Sequence, residues 1–214
     1  MNLRTSHILY GYWNEVRGER MAPCRFEIEP SCISEILSET FILERLDART
    51  FPFRLAGTRI CDNFGVELRG RNFLELVPDD DRPVLESMLS SVTDQGAVAV
   101  CEIEAQDGGG RSVAFEVIVL PLTHEGASIR RYLGAVTAID PPVWLGYQRL
   151  WPSALLRHNL IWPDGRPHAV IERSNRQSPF ISSLANARVV RQNRRQFRIL
   201  EGGRKDGRRC GRPD

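Results

Sequence analysis

The chain has 214 residues, 42% of them apolar and 26% charged, a soluble globular balance with room for one domain plus extensions. Its formal net charge of +2 hides an asymmetry: residues 1–150 hold 15 Arg against 22 Asp+Glu, net −7, whereas residues 151–214 reach +9. The one lysine, Lys205, follows an arginine in a polar terminal stretch, which excludes a Walker-type phosphate loop and Schiff-base chemistry.

Cys24, Cys32, Cys61, Cys101 and Cys210 are odd in number, form no CxxC and fit no zinc spacing. They point to a reducing cytoplasm. The N-terminal stretch lacks a signal-peptide apolar region, and no apolar run approaches the roughly 20 residues of a membrane helix. The expectation is a soluble, cytoplasmic protein with no membrane insertion.

In chain order, Ile8, Leu9, Tyr12, Trp13 and Val16 space an amphipathic helix over 5–17, closed by Gly18 and Pro23. Pro30 and Ser31 open a second short helix with Ile33, Ile36 and Leu37 as its apolar face. Residues 40–47 and 51–57 read as strands around a hairpin-sized connection at Ala48-Arg49-Thr50. Residues 58–76 read as short helical turns. Pro78 and Asp79-Asp80-Asp81 announce a helix whose one apolar face is Val84, Leu85, Met88, Leu89 and Val92. The aspartates there are read as helix-terminal carboxylates favoured by the macrodipole, not as a metal site. Three strands follow at 97–105, 112–121 and 131–139, with Asp107-Gly108-Gly109-Gly110 as a turn and Asp140-Pro141-Pro142 as the stop. The pattern is α+β, a five-stranded antiparallel sheet with helices across one face. The organisation is a helical flank at 1–38, the domain at 39–147, and a basic, largely irregular extension at 148–214.

Several segments resemble the PAS_5 group of PAS domains, found mostly in alphaproteobacteria. They are Tyr12-Trp13 with Arg17-Gly18 and Ala22-Pro23, Phe53 to Thr58, Gly70 to Arg82, Phe115 to Leu122, Trp144-Leu145-Gly146, and Phe197 to Arg204. The resemblance implies a sensory or protein-interaction module that binds small molecules, or packs apolar side chains, between the long helix and the sheet. It also implies dimerisation through an N-terminal helix and the sheet surface. It transfers no enzymatic activity, and no effector domain accompanies it, so the output is expected in trans.

Candidate pocket residues are Phe64, Phe73, Leu76, Leu85, Met88, Leu89, Phe115 and Val117, with core packing the favoured role of each. Arg54, flanked by Phe53 and Leu55, either pairs with Glu44 or holds an anionic ligand; the ion pair is favoured, since an unpaired arginine in an apolar strand is costly. No cofactor is expected. A haem PAS domain needs an axial ligand near the long helix, and residues 79–93 have no His. A photoactive flavin PAS domain needs a reactive Cys in an Asn-Cys-Arg-Phe setting, which Cys61 lacks. Cys61 and Cys101 are read as buried small hydrophobes. His124-Glu125 superficially matches a phospho-acceptor box but lies in a loop. No metal site and no GxSxG, HExxH or GxGxxG motif is present.

In the basic extension, Arg188, Arg191, Arg194, Arg195 and Arg198 make a broad stripe if 185–197 is helical. Self-masking against the acidic body, nucleic-acid binding and anionic-nucleotide binding are the options, beside a solvated charged face. The principal expectation is a PAS-type regulatory protein, a homodimer acting on a small-molecule ligand or a protein partner. The alternative is a nucleic-acid or nucleotide binder acting through the basic extension.

Overall fold

Six antiparallel strands in the order β2-β1-β5-β4-β3-β6 organise the computed structural model, which describes residues 1–124 and 128–165. The chain divides into two compact units, Met1–Ser178 and Pro179–Asp214, and the second lies wholly outside the described residues. The first unit runs α1 (Arg4–Arg17), a 3-10 segment (Pro30–Glu39), β1 (Thr40–Glu44), β2 (Phe53–Ala56) and α2 (Thr58–Phe64). Two 3-10 turns (Phe73–Leu76, Asp79–Asp81) lead into α3 (Arg82–Gln95), then β3 (Val98–Gln106), β4 (Ser112–Thr123), β5 (Ile129–Ala138) and β6 (Trp151–Ile161).

Strand alternation gives the sheet two apolar faces, and each is covered. On the inner face, Phe41, Leu43, Cys101, Ile103, Phe115, Val117, Val119 and Tyr132 meet Leu85, Met88, Leu89 and Val92 of α3. On the outer face, Ile42, Val98, Val100, Ile118, Leu120, Leu122, Leu133 and Ala135 meet Leu9 and Trp13 of α1 and Ile33 and Ile36 of the 3-10 segment. The sequence pattern covered one face only. Leu37, read as part of the apolar face of its helix, is exposed, because the segment winds as 3-10 with a kink at Ile33.

The outer layer is also held by polar contacts. Trp13, fully buried, donates its indole N–H to Pro121 O at 2.8 Å. Glu116, buried on β4, accepts the free backbone N–H groups of Asn2 and Leu3 at 2.6 and 3.1 Å. It thereby anchors the residues that lead into α1 from the outer sheet face that the helix covers. Glu39 accepts from Thr5 Oγ1 (2.6 Å), Thr137 Oγ1 (2.9 Å) and an Arg59 guanidinium N–H (3.0 Å), joining α1, β5 and α2.

The sixth strand departs from the sequence reading, which began an irregular extension at 148. β6 pairs antiparallel with β3 from Val98↔Ile161 to Gln106↔Trp151. Two register shifts, near Glu102/Ile103 and Glu104/Ala105, break the alternation that would have marked it. Leu155 and Leu160 pack on the inner core and Ile161 on the outer one. The connection from β5 passes over α2: a Cβ on Gly65 would lie 2.8 Å from Arg149 Cα, and Leu150 N–H donates to Phe64 O at 3.1 Å. The sheet therefore extends to Ile161, past the boundary the sequence had placed near 150. Moving it keeps the charges at −7 and +9, because residues 151–165 add one Arg and one Asp.

Candidate functional site

The sequence reading placed a candidate pocket between the long helix, α3, and the inner sheet face. Every aromatic and aliphatic candidate named from sequence (Phe64, Phe73, Leu76, Leu85, Met88, Leu89, Phe115, Val117) is buried there in one cluster. The rings interlock: Phe41 lies 5.5 Å from both Phe53 and Phe73 between centroids, Phe53 and Phe73 are 5.8 Å apart, and Phe64 stacks on Phe115 at 4.9 Å. These separations are the preferred packing distances of aromatic pairs, so the rings pack directly on one another.

Two cavities, each about 410 Å³, lie at the margins of this cluster. One sits between the β1–β2 connection, the C-terminal end of α3 and the start of β5, and includes Arg45, Asp47, Thr93, Asp94 and Arg130. The other is an apolar groove between α3 (Pro83, Val84, Ser87, Met88) and β6 (His158, Leu160). Met88 alone of the sequence candidates reaches either one.

Arg54 points away from the interior. It is exposed on β2 and forms an ion pair with Glu44 on β1, which also lies 3.9 Å from Arg131. Phe53 faces inward, and the register shift between the Ile42↔Leu55 and Leu43↔Phe53 pairs leaves Arg54 at a bulge, exposed beside an exposed Leu55, which accounts for an arginine in this strand. Asp79 pairs with Arg82 at 2.8 Å, and Asp81 accepts the Leu155 N–H at 2.8 Å, tying the start of α3 to β6. Among the described residues, no cluster of three or more His, Cys, Asp or Glu is placed to hold a metal, and no helix is long and apolar enough to cross a membrane. His124 follows β4 and its ring lies 5.7 Å from that of Phe26. Glu125, the proposed helix at 185–197 and the arginines Arg188, Arg191, Arg194, Arg195 and Arg198 lie outside the described residues.

The described cysteines are all free thiols in unequal settings. Cys101 is buried on β3, and burial, reinforced by the carboxylates of Glu102 and Glu116, pushes its pKa up to about 12. Cys61, half-buried rather than buried, is also raised, chiefly by desolvation. At pH 8 a thiol with that pKa is thiolate about one part in ten thousand of the time. Iodoacetamide at pH 8 is therefore expected to label exposed Cys32 in the native protein and to leave Cys101 unmodified until urea unfolds the chain. Peptide mass mapping reads the result, and native-state labelling of Cys101 as fast as Cys32 would contradict its burial.

Residues that sequence reasoning missed are polar: Glu39, Glu116 and Asp164. Each acts through a partner more than 30 residues away, so no local spacing marks it.

Among solved structures, the chain is similar to the PAS domain of an HTR-like protein from Haloarcula marismortui. The identity is 23%, over 51% of this chain and 91% of that one, with a TM-score of 0.33. No curated protein matches. The family model for PAS_5, described as a PAS domain, matches residues 1–137, from α1 through β5. That span holds both faces of the sheet and the helices packed on them, and by it the chain belongs to the PAS_5 family of PAS domains.

Proposed function

We propose that this protein is a regulatory PAS module that works by protein contact and signals in trans, holding no small molecule or cofactor between its helices and its sheet. PAS domains in general serve sensing and regulation. The observation that carries the finer reading is the filled interior: the positions that would line a ligand pocket are occupied by packed Phe41, Phe53, Phe64, Phe73 and Phe115. The absence of His from 79–93 and the setting of Cys61 support a module without haem or flavin. In this reading the protein binds rather than catalyses, works as a homodimer, and resides in the cytoplasm, where its free cysteines stay reduced. Since α1 covers the outer sheet face within the same chain, the dimer contact would use the outward side of α1, around His7 and Gly11. Native mass spectrometry of protein purified from its own host tests this. A dimer at the bare polypeptide mass is expected; a small molecule retained in stoichiometric amount would overturn the reading.

A second reading is carried by the charge split. Residues 166–214 bear a net +9 beside a body of net −7, a distribution suited to a polyanion. Replacing Arg188, Arg191, Arg194, Arg195 and Arg198 together by Gln would then abolish DNA retention at low salt. No retention by the unaltered protein removes this reading.

A further inference from the structure

The sheet keeps two apolar clusters apart, with α2 in the inner one and α1 in the outer one. A buried carboxylate joins the two helices. Glu39 ends the 3-10 segment, and its side chain is 11% exposed. One oxygen accepts from Thr5 in the first turn of α1 at 2.6 Å and from Thr137 of β5 at 2.9 Å; the other takes an Arg59 N–H from the first turn of α2 at 3.0 Å. Threonine hydroxyls supply hydrogen bonds without charge, and among the described residues Arg59 is the one cation paired with Glu39. A carboxylate held out of water needs that charge. Without it the side chain is drawn toward solvent, and its bonds to Thr5 and Thr137 weaken together.

The start of α2 is seated against the same stretch of chain. A Cβ on Gly57, which precedes α2, would fall 2.2 Å from the backbone oxygen of Ser38, and Gly57 N–H donates to Thr40 O at 2.8 Å. The helix therefore touches the residues on both sides of Glu39. Its other end carries Phe64, stacked on Phe115 in the inner cluster. On the α1 side, Thr137 lies opposite Glu116, the carboxylate that accepts the Asn2 and Leu3 N–H groups, so the two acids that hold the entry to α1 are neighbours. We propose that Glu39 is a latch between the layers. It holds the first turn of α1 while Arg59 is seated on it, and a shift of α2 that draws Arg59 away releases that turn. The helix on the outer face then answers to the packing of the inner cluster. This coupling belongs to the fold and stands whether or not α1 carries a dimer contact.

Native-state amide hydrogen exchange on the full-length chain tests it. Arg59→Met alters a side chain that is 63% exposed and whose hydrogen bond goes to Glu39. It should nevertheless speed exchange at residues 7–11 of α1 about fivefold, the low end of coupling between two sites. Coupling is reciprocal, so Thr5→Val should speed exchange at residues 61–64 of α2 by a similar factor. In a Glu39→Gln background, Arg59→Met should add nothing at residues 7–11. Arg54→Met, which removes an exposed arginine paired with Glu44, is the control and should leave α1 unchanged. Faster exchange confined to α2 in Arg59→Met, an equal effect of Arg54→Met on α1, or an undiminished Arg59→Met effect in the Glu39→Gln background would overturn the proposal.

Discussion

Gly134→Ala is expected to destabilise the protein by at least about 3 kcal/mol, the upper end of what overpacking costs. Gly134 lies on β5 between Phe41 of β1 and Val119 of β4. A Cβ there would fall 2.1 Å from Phe41 Cζ and 2.4 Å from the backbone oxygen of Ile118. Its backbone needs no left-handed conformation, so the requirement for glycine is one of space alone. The Phe41 ring takes the room a side chain would use, and it anchors the Phe53 and Phe73 rings in turn. Urea unfolding at equilibrium measures the cost, and the melting temperature should fall by roughly 6–12 °C for a domain of this size. A loss below about 1 kcal/mol would mean that the interior has slack, which would revive a ligand pocket there. Phe41→Leu combined with Gly134→Ala should cost less than the sum of the single changes, because the two sites share one volume. Full additivity would show that the Ile118 carbonyl alone sets the limit.

Local periodicity carried most of the inner layer. The α3 face was legible because Val84, Leu85, Met88, Leu89 and Val92 recur at helical spacing, and all but the half-buried Val84 are buried. β4 was legible because Val113, Phe115, Val117 and Val119 alternate, and all four meet α3's side of the sheet. The helical spacing of α1 was equally clear, but spacing does not say what a helix covers, and its burial on the outer sheet face was not readable. β6 escaped for a physical reason. Its bulges place Ser153 and Leu156 out of step, its apolar content is split between two faces, and Arg157, His158 and Asn159 interrupt it. Strands at an edge are commonly built this way, with bulges, charge and proline limiting further pairing. The same features that blunt the edge erase the sequence signal. The pocket candidates were legible as a set because a PAS interior is apolar on both walls. Whether that interior is open or filled depends on how rings from five separate elements interlock, which no spacing encodes. Arg54 shows the converse limit: a charge among apolar neighbours drew attention as a ligand anchor, and a bulge between the Leu55 and Phe53 pairings turns it outward onto Glu44.

Asp164→Ala is expected to cost about 2–3 kcal/mol, well above what a surface ion pair contributes, because the charge it leaves behind is buried. The Arg17 side chain is 5% exposed and closes α1. Its guanidinium donates to Asn14 Oδ1 at 2.8 Å and Arg20 O at 2.8 Å, lies 5.5 Å from the centre of the Trp13 ring, and gives two further N–H donors to Asp164 at 2.9 and 3.3 Å. Without the carboxylate two donors lose their partner beneath a helix. Asp164 is itself 35% exposed, so water entering its place recovers part of the loss and keeps the cost below that of a fully enclosed pair. Arg17→Met with Asp164→Ala should be less destabilised than Asp164→Ala alone, since the double change removes the stranded charge together with its partner. Arg157→Ala on β6, whose exposed side chain pairs with Glu102 at 3.6 Å, should cost under about 1 kcal/mol and serves as the control. Hydrogen exchange distinguishes the mechanism. Arg17 belongs to the helix covering the outer face, and Asp164 to the turn that ends β6, so Asp164→Ala should speed exchange in the last turn of α1 and in Asn159–Ile161 together. Faster exchange confined to the turn would mean that the pair holds only the turn. Joint loosening would identify it as the link through which the end of the sheet and the N-terminal helix respond as one unit.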